Sequence, residues 1–72
     1  MVTLDNLLEV FSHHPPSTEK MDHYVAIRQA ATTMAETILR HTAPCADQQA
    51  AIRHVREAMF TANAAVALDG KV

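Results

Sequence analysis

Between Thr18 and Leu68 the chain carries two apolar stripes of matching length, and no other feature restricts its fold as strongly. Tyr24, Ile27, Ala31, Met34 and Ile38 in the first stretch, and Ile52, Val55, Met59, Ala62 and Val66 in the second, are spaced alternately by three and four residues. That spacing places each set on one face of an α-helix. Only a short turn around Pro44 separates the stretches, so they are expected to fold back as an antiparallel αα-hairpin. With Ile38 opposite Ile52, Met34 meets Val55, Ala31 meets Met59, Ile27 meets Ala62 and Tyr24 meets Val66, so that large side chains repeatedly face small ones.

The expected fold is therefore all-α, one helical-hairpin domain over residues 1–72 with long helices at about 18–41 and 47–68. Ser17 or Thr18 can cap the first long helix, with Glu19 in its first turn, and Arg40 and His41 suit its C-terminal end. Asp47 complements the start of the second, and Asp69 with Gly70 ends it. Ahead of the hairpin, Thr3 is the expected cap of a short helix at about 3–11, whose apolar face is Leu4, Leu7, Leu8 and Phe11. A helix this short does not persist alone. It has to dock on its own hairpin or on a neighbour. Pro15 and Pro16 each lack a backbone donor and bias the residues before them towards extended backbone, making His13 to Pro16 a stiff connector. Lys71 and Val72 are expected to fray.

A chain of 72 residues buries too small a fraction of its surface to be comfortably stable alone. The usual staples are missing, because the one cysteine, Cys45, has no partner and no zinc-type ligand spacing occurs. Oligomerisation remains. Ala51, Ala58 and Ala65 form a row seven residues apart, beside the hairpin stripe, along which another helix can approach closely. With 49% hydrophobic residues and one glycine, the composition is that of packed helices.

A net charge of −2 and a pI near 6.2 argue against a general nucleic-acid binder, whose footprint is usually basic. No apolar run is long enough to span a bilayer and the N-terminus lacks the pattern of a secretory signal, so a cytosolic protein is expected.

The hairpin register has a consequence for polar residues. Arg28 falls roughly level with Thr61, within reach of Asn63 and Phe60, at the end where the His13 to Pro16 connector enters. Guanidinium binds phosphate in a bidentate way, an amide pairs with a base edge, and rings stack on bases, so this convergence suits a nucleotide-like ligand. The bland alternative pairs Arg28 with Glu19, Asp22 or Glu57 on a solvated surface and Asn63 with backbone. Neither a metal site nor catalysis is expected. The five histidines lack one-face ligand spacing, and Cys45 with His41 has no orienting third group. Met21, Met34, Met59 and Tyr24 are expected in the core, and Arg53, His54 and Arg56 beside Glu57 on a solvated face.

These residues resemble a known family, the phage sponges that sequester cyclic oligonucleotides and block CBASS defence, together with the Thoeris anti-defence sponges that share their hairpin domain. The resemblance rests on His14-Pro15-Pro16, Ile27-Arg28 and Glu57-Ala58-Met59-Phe60-Thr61-Ala62-Asn63-Ala64, and spans His13 to Ala67. It implies a homohexamer, without cofactor or catalysis, in the cytoplasm of an infected bacterial host. Cyclic dinucleotides such as cyclic GMP-AMP would bind between protomers, and in some members cyclic trinucleotides would bind on the threefold axis. By position, His13 stands where relatives carry a base-stacking tyrosine and Arg28 where a basic residue meets the ligand phosphate, with His14, Pro16 and Asn63 as further ligand residues. Thr61 replaces a frequent tryptophan, and Leu68 stands where an arginine often follows the last motif.

The competing expectation is a homo-oligomeric helical interaction or regulatory module with no nucleotide ligand. A nucleic-acid-binding regulator is a third, disfavoured by the charge.

Overall fold

The computed structural model of the chain describes residues 1–12 and 17–70. The connector His13 to Pro16 and the terminal pair Lys71 and Val72 lie outside the described residues. The described residues are all-helical, in the order α1 (Leu7–Phe11), α2 (Thr18–His41) and α3 (Ala46–Leu68).

The long helices α2 and α3 pack along each other as an antiparallel hairpin. Two side chains fix their register at opposite ends. Near the turn, Gln48 Nε2 donates to the Thr42 carbonyl at 3.2 Å and to its hydroxyl at 3.1 Å. At the open end, Lys20 Nζ donates to the Ala67 carbonyl at 3.2 Å. Both side chains bond to residues that the expected pairing sets opposite or one turn away.

Within α2, the hydroxyls of Thr32 and Thr37 donate to the Arg28 and Thr33 carbonyls, and Thr42 at its end donates to Ile38. Each hydroxyl is thereby satisfied by its own helix, four residues back. Glu19 lies in the first turn and Arg40 and His41 in the last, as the helix dipole favours. Ser17 occupies the N-cap position of α2 in extended backbone, but its side chain makes no capping bond.

The turn is built by Cys45, not by Asp47 alone. Cys45 is extended and caps α3, its sulfur accepting the Gln48 N–H at 3.3 Å. At the far end, Asp69 takes the left-handed conformation (φ 52°, ψ 47°) and Gly70 follows at φ 79°. The glycine expected after the helix is there, but an aspartate precedes it in the strained region.

The first helix departs from expectation. It starts at Leu7, and Thr3 is not its cap: the Thr3 N–H donates to Asn6 Oδ1 at 2.7 Å while Asn6 Nδ2 donates to the Met1 carbonyl at 2.9 Å. A local side-chain clamp has won over the first helical turn. The docking face also differs. Leu4, Leu8 and Phe11 are 91%, 83% and 79% exposed, whereas Asn6 and Val10 are the half-buried residues.

The molecule measures 46 × 27 × 16 Å. One helix is about 10–12 Å across, so the short dimension accommodates a single layer. A single layer covers only one side of each stripe. Accordingly Leu68 is the one buried hydrophobic residue among those described, Ile27, Ile38, Ile52, Val55 and Met59 are half-buried, and Met34, expected in the core, is 54% exposed.

Candidate functional site

Arg28 directly follows the stripe residue Ile27, and Asn63 directly follows Ala62. One residue is a turn of about 100° around a helix, and in antiparallel neighbours that rotation leads to the same side of the pair. Arg28 and Asn63 therefore look out on one side of the seam.

There they line a common open cavity of about 710 Å³. Met21 and Tyr24 stand beside Arg28 on α2, Met59 and Ala67 lie one turn either side of Asn63 on α3, and Leu68 closes the lower end. Val10 and Ser12 complete the rim from the α1 side. Ligand pockets typically enclose about 300–1,000 Å³ with mostly apolar walls and a few convergent polar groups, and this cavity has both properties.

Among the described residues, neither key polar group is spent on another protein side chain. None of the carboxylates proposed as partners pairs with Arg28: Glu57 lies 3.5 Å from His54 Nδ1, and Glu19 and Asp22 make no ion pair with it. Nor does Asn63 bond to backbone through its carbonyl. Its Oδ1 is buried without a hydrogen-bond donor, alone in this among the buried side-chain oxygens and nitrogens of the described residues. Buried acceptors are nearly always paired, and one that is not requires an explanation.

The aromatic expected here is the wrong one. Phe60 does not line the cavity; the residue is 55% exposed and its ring carries the Arg56 guanidinium 5.7 Å from its centroid. Thr61 is exposed and likewise absent from the lining. Phe60 sits too far around α3 from the seam. Tyr24, assigned to the core by its place in the stripe, supplies the aromatic wall instead. The signal was available: Tyr24 and Arg28 are four residues apart on one helix face, as are Met59, Asn63 and Ala67 on the other.

His13, His14 and Pro16 lie outside the described residues, but Ser12, immediately before them in the chain, is on the cavity rim. Among the described residues no three His, Cys, Asp or Glu side chains are grouped to hold a metal ion. No helix of those residues is long and apolar enough to cross a membrane.

The opposite side of the seam is apolar. Ile27, Ala30, Met34, Ala51, Val55 and Ala58 line a groove of about 670 Å³, with His54 at its edge. Two members of the alanine row, Ala51 and Ala58, are thus on an open surface beside the hairpin seam.

Fold and site together define a small helical hairpin with a ligand-sized cavity on one face and an apolar groove on the other. The chain belongs to the Acb2/Tad1 hairpin-domain family, whose model matches residues 5–67, the family of the anti-CBASS and Thoeris anti-defence sponges. No curated protein and no solved structure matches the chain.

Proposed function

We propose that this protein is a phage anti-defence sponge that captures cyclic dinucleotides such as cyclic GMP-AMP in the host cytoplasm, without cleaving them, and so starves CBASS effectors of their signal. The observation that carries this reading is the pair of unspent polar groups in one cavity, the Arg28 guanidinium and the Asn63 amide, beside the Tyr24 ring. Guanidinium is suited to a phosphodiester, the amide to a base edge and the ring to a base face. Family membership points the same way, since its proteins are sponge-type binders and not enzymes. By the family resemblance, His13, His14 and Pro16 are proposed as further ligand residues.

Capture takes place in a homo-oligomer, by resemblance a hexamer. The chain exposes 5706 Å², whereas a compact monomer of 7.9 kDa exposes about 4,400 Å². The surplus of about 1,300 Å² exceeds the roughly 800 Å² that each partner buries in an ordinary stable interface. A second copy is the occupant that the α1 face and the apolar groove call for. Leu68, in the position of a frequent arginine, is 8% exposed and contributes packing rather than charge, so the proposal centres on dinucleotides and not on cyclic trinucleotides.

The alternative, a homo-oligomeric interaction module without a nucleotide, accounts for the groove and for the exposed α1 face but not for the unspent groups of the cavity.

Calorimetry against a panel of cyclic dinucleotides tests the proposal. Tight binding by the wild type, loss of binding in Arg28→Ala with the oligomer intact, and recovery of unchanged ligand after heating the complex support it. A monomeric protein, or one that binds no member of the panel at micromolar concentration, overturns it.

A further inference from the structure

We infer that the outward face of α1 in one copy seats in the apolar groove of the next, so that copies associate head to tail. The inference rests on the homo-oligomer of the sponge reading and adds to it which two surfaces meet.

The groove is open and nearly free of charge. Ile27, Ala30, Met34, Ala51, Val55 and Ala58 line it, and the hollow beside it on α2 adds Gln29, Thr33 and Thr37. His54 at the edge is the one titratable residue among those lining either. Depletion of charge is what marks the centre of a protein interface. The methyl side chains of Ala30, Ala51 and Ala58 leave room for larger ones to enter.

The first helix carries what fits there. Leu4, Leu8 and Phe11 are 91%, 83% and 79% exposed and follow one another by four and three residues, the anchor spacing of a helix laid in a groove. From Ile27 to Ile38 the groove runs about 16 Å along α2, whereas the five residues of α1 span only about 7.5 Å, so the groove is long enough to take it.

The chain cannot fill its own groove with these anchors. Val10 and Ser12 hold α1 at the cavity with Arg28 and Asn63, on the other side of the seam, while Leu8 and Phe11 stay exposed. In a single layer of helices the two surfaces therefore lie on opposite sides of the molecule. A two-fold pair would need both on one side, so the contact is heterologous. Each copy gives α1 to one neighbour and its groove to another, and closure makes a ring of more than two copies. Each copy then buries two patches. The surplus surface of about 1,300 Å² supplies two of about 650 Å², within the roughly 600–1,000 Å² that each partner buries in a standard interface.

Sedimentation of the full-length protein, and of two variants alone and mixed, tests this. Leu8→Ser with Phe11→Ser spoils α1 and keeps the groove. Ala30→Arg with Ala58→Arg blocks the groove and keeps α1, both alanines being exposed on their helices. The wild type is expected to be heavier than a dimer and each variant alone lighter than the wild type. The equimolar mixture is expected to be heavier than either variant, because an intact α1 there meets an intact groove. Met34→Arg, at a residue 54% exposed, is a second groove variant, and circular dichroism checks that every variant is helical, so misfolding does not decide the matter. A wild-type dimer, an undiminished mass in the α1 variant or in both groove variants, or a mixture no heavier than its components overturns the inference. A monomeric wild type overturns it together with the oligomer of the sponge reading. An assembled wild type that binds no cyclic dinucleotide removes the sponge reading and leaves the contact in place.

Discussion

Lys20 Nζ donates to the carbonyl of Ala67 across 3.2 Å, so the first turn of α2 closes the last turn of α3. The last four carbonyls of a helix have no partner in their own helix, and a cation there also complements the dipole. One side chain thus holds the open end of the hairpin, next to the cavity. Lys20→Met keeps most of the apolar stem and removes the donor. It is expected to lower stability by about 0.5–1.5 kcal/mol. Thermal unfolding followed by circular dichroism checks this, and an unchanged midpoint would show that water substitutes fully for the lysine.

The turn end depends on Gln48, 6% exposed, whose amide donates to the Thr42 carbonyl and hydroxyl. The Thr42 hydroxyl in turn donates to the Ile38 carbonyl at 2.7 Å, so this chain of bonds satisfies carbonyls at the C-terminal end of α2. Gln48→Met has nearly the same shape and no donor. It takes the donor away from acceptors of Thr42, an exposed residue where water can replace it, at a cost of about 0.5–1.5 kcal/mol. For a domain of this size the midpoint should fall by roughly 4–8 °C per kcal/mol. A smaller fall than for Lys20→Met would mean that the turn is held by Pro44 and the Cys45 cap instead.

How much of this was legible in the sequence varies with the length scale of the cause. The hairpin register follows from ten apolar positions whose three-and-four spacing leaves no alternative face, and the Gln48 to Thr42 and Lys20 to Ala67 bonds conform to it. In α1 the five helical residues carry apolar side chains on several sides, and the Asn6 clamp with its tertiary setting, not periodicity, turns Val10 inward and Phe11 outward. At the site, Arg28 and Asn63 were placed by register alone. Tyr24 and Phe60 were exchanged because stripe membership says which residues are near the seam, but not that the seam opens at its free end into a cavity. The Cys45 cap is not legible in the sequence, because thiols are not among the usual capping residues.

Arg28 distinguishes charge from geometry. If the guanidinium grips a phosphodiester through two parallel N–H groups, lysine retains the charge and loses the fork. Arg28→Lys is then expected to weaken cyclic dinucleotide binding by about tenfold, and Arg28→Ala by about a hundredfold or more. Titration calorimetry at two salt concentrations reads both. Wild-type affinity in Arg28→Lys would reduce the role of Arg28 to a point charge.

The outward face of α1 makes an assembly prediction. Leu8 and Phe11 are large, apolar and almost bare in the single chain, and each gains about 1.5–3 kcal/mol when fully buried against a neighbour. Leu8→Ser and Phe11→Ser should therefore leave the helicity of α2 and α3 unchanged and lower the mass observed by sedimentation or light scattering at low micromolar concentration. An unaltered mass in the double variant would place the interface elsewhere, with the apolar groove over Met34 and Ala58 as the remaining face.

Asp69 offers a gain in stability. It holds a left-handed backbone at φ 52°, a region that costs most residues energy and glycine none, and its carboxylate lies at the negative end of the α3 dipole. Asp69→Asn removes the charge and Asp69→Gly removes both penalties. The asparagine variant should gain a few tenths of a kcal/mol and the glycine variant about 0.5–1 kcal/mol, partly offset by the added freedom of two consecutive glycines in the unfolded chain. The dipole part is screened by salt whereas the backbone part is not. Raising the ionic strength should therefore shrink the advantage of Asp69→Asn over the wild type and leave most of that of Asp69→Gly over Asp69→Asn. Denaturant titrations of the three proteins at low and high salt measure both differences, and a glycine variant less stable than the wild type would show that the Asp69 side chain makes a stabilising contribution outweighing its backbone strain.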